Sequence, residues 1–212
     1  MMEGLRERKK RQTRQRISDV AIGLFVERGF EHVTIAEVAD AAEVSVNTVY
    51  NYFQSKEDLV LPPEEASPER LADFVRQRAA GESAAVAVLA RLRAEVRGRE
   101  RRVGLSAGFG RVLEMMRAAP TLTARLDELG HQMTDALAAV LAEETGAAPD
   151  DPLPRVVAWH LGCLHALVLT EIARRTAAGE EPGAIAGAVL ELLDAAESVL
   201  GERVLAYAVR EG

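Results

Sequence analysis

Apolar positions recur at helical spacing along nearly the whole chain. From Thr13 to Arg28 the series Ile17, Val20, Ala21, Leu24 and Phe25 follows i, i+3, i+4, i+7, i+8, the pattern of a helix with one buried face. Gly29 is placed to end it. Thr34 is an N-cap, and Glu37 three residues later completes a T-x-x-E capping box, predicting a short helix over 35–41 that buries Ile35, Val38 and Ala39. Ser45 caps a third helix running to about Phe53. Ser55 caps another beginning Lys56-Glu57-Asp58, with acids in the first turn where the helix dipole favours them. Helix, short helix, tight turn, short helix is the order of a helix-turn-helix. Glu43 occupies the place in that turn where glycine is frequent, so a positive φ there strains the backbone or the turn closes differently.

After Leu59-Val60-Leu61 the chain reads PPEEASPER, whose prolines interrupt any helix. Residues 61–67 are therefore a Pro-rich joint between a first domain over 1–60 and a second over 68–212. Helical patterns then cover about 68–79, 82–97, 105–118, 121–144, 154–176 and 182–208, while strand alternation and Asn-Gly or Asp-Gly hairpins are missing. The fold class is all-α, a three-helix N-terminal domain followed by a larger helical one. The cluster RGRERR over 97–102 reads as a solvated helix end or loop. In VVAWHLGCLHALVLTEI apolar residues face almost every direction, and the last helix is nearly as broad, with Ile185, Val189, Leu192, Leu193, Ala196, Val199, Leu200 and Val204. Two such helices need cover on both sides, which a second copy supplies as a four-helix interface about a twofold axis. A homodimer through the last two helices is the expectation.

Composition adds limits. Residues are 48% hydrophobic but 4% aromatic, which suits closely packed helices and is ample for a core. No run of about 18 uncharged apolar residues is found, so no membrane span is expected. The charged N-terminus lacks the apolar segment of a secretory signal. Cys163, the one cysteine, excludes an internal disulfide framework and fits a reducing cytoplasm. The net charge of −7 is unevenly spread. Residues 1–16 hold seven basic side chains against two acids, so +5 there leaves −12 for the rest. A basic arm containing Arg8, Lys9, Lys10 and Arg11 attracts phosphate whatever the total.

The stretch SVNTVYNYF, residues 45–53, holds both asparagines of the chain and two of its three tyrosines. On a helical wheel Val49 and Phe53 define the buried side. Asn47 and Asn51 lie opposite, Thr48 adjoins them, and Tyr50 and Tyr52 flank. Amides pair with adenine edges, threonine contacts thymine methyls and tyrosine hydroxyls reach phosphates. This chain covers its other polar faces with Arg and Glu, so an amide-and-phenol face marks recognition of a double-stranded DNA operator.

Residues 13–60, above all TIAEVADAAEVSVNTVYNYFQSKEDLV, resemble the DNA-binding domain of the TetR family of transcriptional regulators. The likeness rests on the cap threonine, the V-S-x-x-T-[LV]-Y-x-[HY]-F helix and the S-K-E-D-L segment. It implies that Val46, Asn47 and Thr48, joined by Asn51 from the wheel, meet base edges. Thr34, Tyr50, Tyr52 and Lys56, with the cap Ser45, would meet phosphates, and the basic arm would lie beside or inside the minor groove. Ala36 stands where some relatives carry a long base-reading side chain, so specificity here falls on the second helix of the motif.

The resemblance also implies dimerisation through the final two helices and a largely apolar small-molecule effector in the C-terminal domain. Phe109, Met115, Met116, Trp159 and Cys163 are the bulky or soft candidates for that pocket, with His131, His160 and His165 as polar anchors. The histidines and the lone cysteine lack metal-ligand spacing, so no metal and no cofactor are expected. Phosphate loops, HExxH and CxxC are absent, and no catalytic residue is assigned. The expected function is a homodimeric repressor released from a palindrome by its effector. The alternatives are an activator or ligand-independent regulator, and a helical ligand-binding dimer whose head no longer discriminates DNA.

Overall fold

The computed structural model describes residues 4–61, 66–100, 103–105 and 109–211. Ten α-helices and no strand occur among them. They are α1 (Leu5–Arg28), α2 (Ile35–Ala41), α3 (Val46–Tyr52), α4 (Arg70–Arg76), α5 (Ala84–Gly98), α6 (Phe109–Ala118), α7 (Pro120–Thr145), α8 (Leu153–Ala177), α9 (Pro182–Val199) and α10 (Glu202–Leu205). Positions 62–65 of the Pro-rich joint and 101–102 of the RGRERR cluster lie outside the described residues.

Two compact units result. The first contains the N-terminal residues to Ala66 together with Arg111–Arg125, and the second contains Ser67–Gly110 and Leu126–Gly212. The chain-order division at 60 and 68 thus leaves out a segment. Met115, Met116, Ala119 and Leu122 are 7% exposed or less and share the core of Ile17, Ala21, Phe25, Val38, Val49 and Phe53. An amphipathic face predicts burial but not the partner, which is why the sequence placed this stretch with the C-terminal helices.

In the first unit α1 starts at Leu5, well before Thr13. Its first turns are Arg, Lys, Glu and Gln, good helix formers that leave no apolar stripe to read. The helix expected from Ser55 is a single 3-10 turn, Glu57–Leu59. Its start is well made: Ser55 Oγ accepts from the Asp58 N–H, and the Asp58 carboxylate accepts from the Gln54 and Ser55 N–H groups. Pro62 and Pro63 follow at once in the sequence and bar continuation. The buried Ser18 hydroxyl donates to the Leu59 carbonyl at 2.7 Å, fixing this turn to α1.

In the second unit α5 packs against α4, α8, α9 and α10, and α8 against α9. The final helix breaks at Leu200-Gly201, before α10, instead of running to 208, because glycine in a helix interior costs roughly 1 kcal/mol. The Arg78 guanidinium, 2% exposed, donates to the Val75, Glu82 and Ala208 carbonyls and pairs with Glu144. It holds the C-terminal tail to the α4–α5 turn. By length and a mean hydropathy of 1.6, α8 is apolar enough to cross a bilayer, but a core helix passes the same test. Here α8 buries Val157, Leu161, Leu164, Val168 and Ile172.

Candidate nucleic-acid interface and ligand cavity

The interface is built from two locally capped helices. Thr34 Oγ1 accepts from the Glu37 N–H, and Glu37 Oε2 accepts from the Thr34 N–H at 2.8 Å. That backbone N–H, then the Thr34 hydroxyl, holds the Glu37 carboxyl below its usual range. Helix α2 ends in a Schellman motif: the Val44 N–H donates to the Ala39 carbonyl and the Glu43 N–H to Asp40. Glu43 sits at the left-handed position with φ of 52°, where glycine is the usual residue. Ser45 then caps α3, accepting from the Thr48 N–H at 3.0 Å, with its hydroxyl 2.8 Å from that of Thr48. The close connection of α2 to α3 follows from these bonds.

Val49 and Phe53 are buried, at 1% and 2% exposed, while Asn47 and Asn51 are exposed on the opposite face, as the wheel predicts. Val46 and Tyr50 also project, at 41% and 55%. Tyr52 is half-buried and packs on the core. Not one residue of α3 is charged, so its outward face meets a phosphate backbone without repulsion and offers amides, an apolar side chain and a phenol. The Thr34, Ser45 and Thr48 hydroxyls are all engaged in caps. Lys56 donates to the Phe30 carbonyl and stands over the Phe30 and Phe25 rings. Arg8, Lys9, Lys10 and Arg11 are exposed on the first turns of α1, so the basic arm is helical here.

The second unit contains a cavity of about 850 Å³ walled by α7 and α8, with Leu71 of α4. Of the five pocket candidates it includes Trp159 and Cys163. Met115 and Met116 are core residues of the first unit, and Phe109, whose ring lies over Gly104, is not on the wall. A Cβ at Gly104 would come within 2.4 Å of that ring, so this site requires glycine, which also supplies its φ of 77°. His131 and His165 line the cavity; His160 does not, and its Nδ1 lies 2.7 Å from the Val156 carbonyl. His165 is 7% exposed, and burial followed by the neighbouring Arg70 charge lowers its pKa to about 4, so the ring is neutral at physiological pH. Arg70 is ion-paired with Glu95, both 7% exposed. These two charges stand 25 positions apart in sequence, and only the fold brings them together. Among the described residues no group of three or more His, Cys, Asp or Glu is arranged to hold a metal ion.

Residues 17–61 match the model for bacterial regulatory proteins of the tetR family. Over 159 residues the chain is 35% identical to the HTH-type transcriptional regulator TcmR of Streptomyces glaucescens, spanning 73% of this chain and 70% of that protein. A 47-residue stretch is 40% identical to the HTH-type transcriptional repressor KstR2 of Rhodococcus jostii, covering 22% of this chain and 23% of the relative. Among solved structures, NalD of Pseudomonas aeruginosa, secondary repressor of the MexAB-OprM multidrug efflux pump, superposes with a TM-score of 0.55. It is 21% identical and covers 88% of this chain and 97% of its own.

Proposed function

This chain belongs to the TetR family of bacterial transcriptional regulators and is a DNA-binding regulator, not an enzyme; from that premise we propose that it is a cytoplasmic homodimeric repressor, released from a palindromic operator by a small, largely apolar effector. The observation that carries the reading is the face of α3. Val46, Asn47, Tyr50 and Asn51 stand out from a helix whose other side is locked in the core and whose start is capped. Base reading by Asn47, Asn51 and Val46, with phosphate contacts from Tyr50 and the basic turns of α1, is the division of labour this face supports.

Dimerisation is supported by the apolar surface left on the last long helices. Leu167 of α8 is 42% exposed and Val199 of α9 is 82% exposed. A second copy covering these residues would present two α3 helices to half-sites about 34 Å apart. Repression, in place of activation, is supported by the KstR2 stretch, which comes from a protein named as a repressor. Release is a linkage: an effector that prefers the non-binding conformer weakens DNA by the factor that DNA weakens the effector.

The test is selection and sequencing of genomic fragments retained by the purified protein at near-physiological salt. Enrichment of one palindrome supports the proposal. Steeply salt-dependent retention with no enriched sequence removes it, because phosphate contacts then act without base readout.

A further inference from the structure

The α7–α8 cavity has one polar group deep in its wall that no protein partner satisfies. His165 is nine-tenths buried and lines the cavity, and no hydrogen bond to its ring occurs among the described residues. The other deep wall positions are apolar: Leu71 is 1% exposed and Met133 6%. Leu126, Val156 and Trp159 widen the apolar lining toward solvent. A cavity of this size suits a drug-sized ligand whose body is held by apolar contact and whose orientation is set by a few polar ones.

We propose that this cavity takes an uncharged, largely apolar molecule ending in a hydroxyl or carbonyl group, and that His165 recognises that end. The inference rests on the effector-binding reading above and gives it a chemistry. A neutral imidazole has one N–H donor and one bare nitrogen acceptor, which match a hydroxyl or carbonyl. An ionised carboxylate or phosphate does not fit: its burial beside a neutral ring is costly, and the buried cation beside His165, Arg70, is already paired with Glu95. Drawing Arg70 onto a ligand anion would weaken the pair holding the buried Glu95 carboxylate. A ligand cation is disfavoured by the same Arg70. Asp127, Asp135 and Arg155 also border the cavity, but all three are exposed and solvent screens them, so they do not decide the sign.

The experiment uses the full chain and two probes of equal length, 1-decanol and decanoate, at pH 7.5 and below their aggregation concentrations. Trp159, the one tryptophan in the sequence and part of the wall, reports binding by its fluorescence. Decanol is expected to saturate the signal with at least tenfold tighter binding than decanoate. His165→Phe should cost decanol about tenfold, and His165→Gln, which keeps a donor and an acceptor, should retain most of the affinity. Equal or tighter binding of decanoate overturns the neutral-end inference and leaves the effector cavity standing. Silence of Trp159 toward both probes removes the cavity reading itself. Unchanged decanol binding in His165→Phe overturns the role of His165, with circular dichroism confirming that the variant folds.

Discussion

The Lys56 ammonium donates to the carbonyl of Phe30 and stands 4.4 Å from the centroid of the Phe30 ring. It thereby joins the turn after α3 to the turn after α1, and the Phe25 ring at 5.6 Å adds a second aromatic face. A charge-assisted bond and a partly desolvated cation–π contact together contribute on the order of 2 kcal/mol. Lys56→Met should therefore lower the thermal midpoint by several degrees as well as weaken DNA binding. If Lys56 also reaches phosphate, the slope of log K against log salt drops by about one. A loss of midpoint with an unchanged slope would assign Lys56 to internal packing alone.

Asn47 separates base reading from folding more cleanly than its neighbours. Its side chain is exposed, whereas Thr48 is tied to the Ser45 cap, so truncation of Thr48 disturbs the helix start too. Asn47→Ala should cost about 1–3 kcal/mol on the selected operator, relax base preference, and leave the thermal midpoint within a degree or so. Equal losses on operator and random DNA, measured by titration at one salt concentration, would take Asn47 out of the base-reading set.

What the sequence made legible was local. The reciprocal cap of Thr34 and Glu37 lies within four residues, and the burial of Val49 and Phe53 needs only helical spacing. Residues that act across distance were not legible. Met115 and Met116 are soft, apolar and helically spaced, which predicts burial equally well in a ligand pocket or in the core they share with Phe25. Arg70 meets Glu95 from 25 positions away and Arg78 meets Glu144 from 66, and in sequence each looks like one more solvated charge. The early start of α1 escaped for a different reason: a helix without an apolar face gives periodicity nothing to detect.

Glu43 offers a gain in stability. Its φ of 52° puts a side chain in the left-handed region at the C′ position of a Schellman motif, at a cost of roughly 1 kcal/mol relative to glycine. Glu43→Gly should raise stability by up to about that amount, partly offset by the greater freedom of glycine in the unfolded chain. Denaturant titration measures it, with an unchanged m-value expected. A clear destabilisation would mean that the Glu43 side chain makes a contribution larger than its backbone strain.

Leu167 tests the assembly. It is 42% exposed on α8. Leu167→Glu should leave the helical content intact, shift the protein to monomer in sedimentation, and reduce operator affinity by more than tenfold, since one α3 reads only a half-site. A dimer that survives this change would move the interface off this face of α8.

His165 sets a pH window for stability. Its folded pKa is lowered to about 4 from 6.5, first by burial and then by the Arg70 cation, whose own partner is Glu95. Above pH 6.5 the ring is neutral in both folded and unfolded chains and contributes no pH dependence. Between 6.5 and 4 the unfolded chain takes up a proton that the folded chain refuses, so stability falls as pH falls, by up to about 3 kcal/mol near pH 4. His165→Gln removes this term while keeping a polar side chain in place. Denaturant midpoints of the parent and the variant, measured from pH 7.5 down to 4.5, should therefore converge on acidification if the variant starts lower, or separate with the variant above the parent if it starts level. Parallel curves across that window would show that the His165 ring accepts its proton in the folded protein at the ordinary pH.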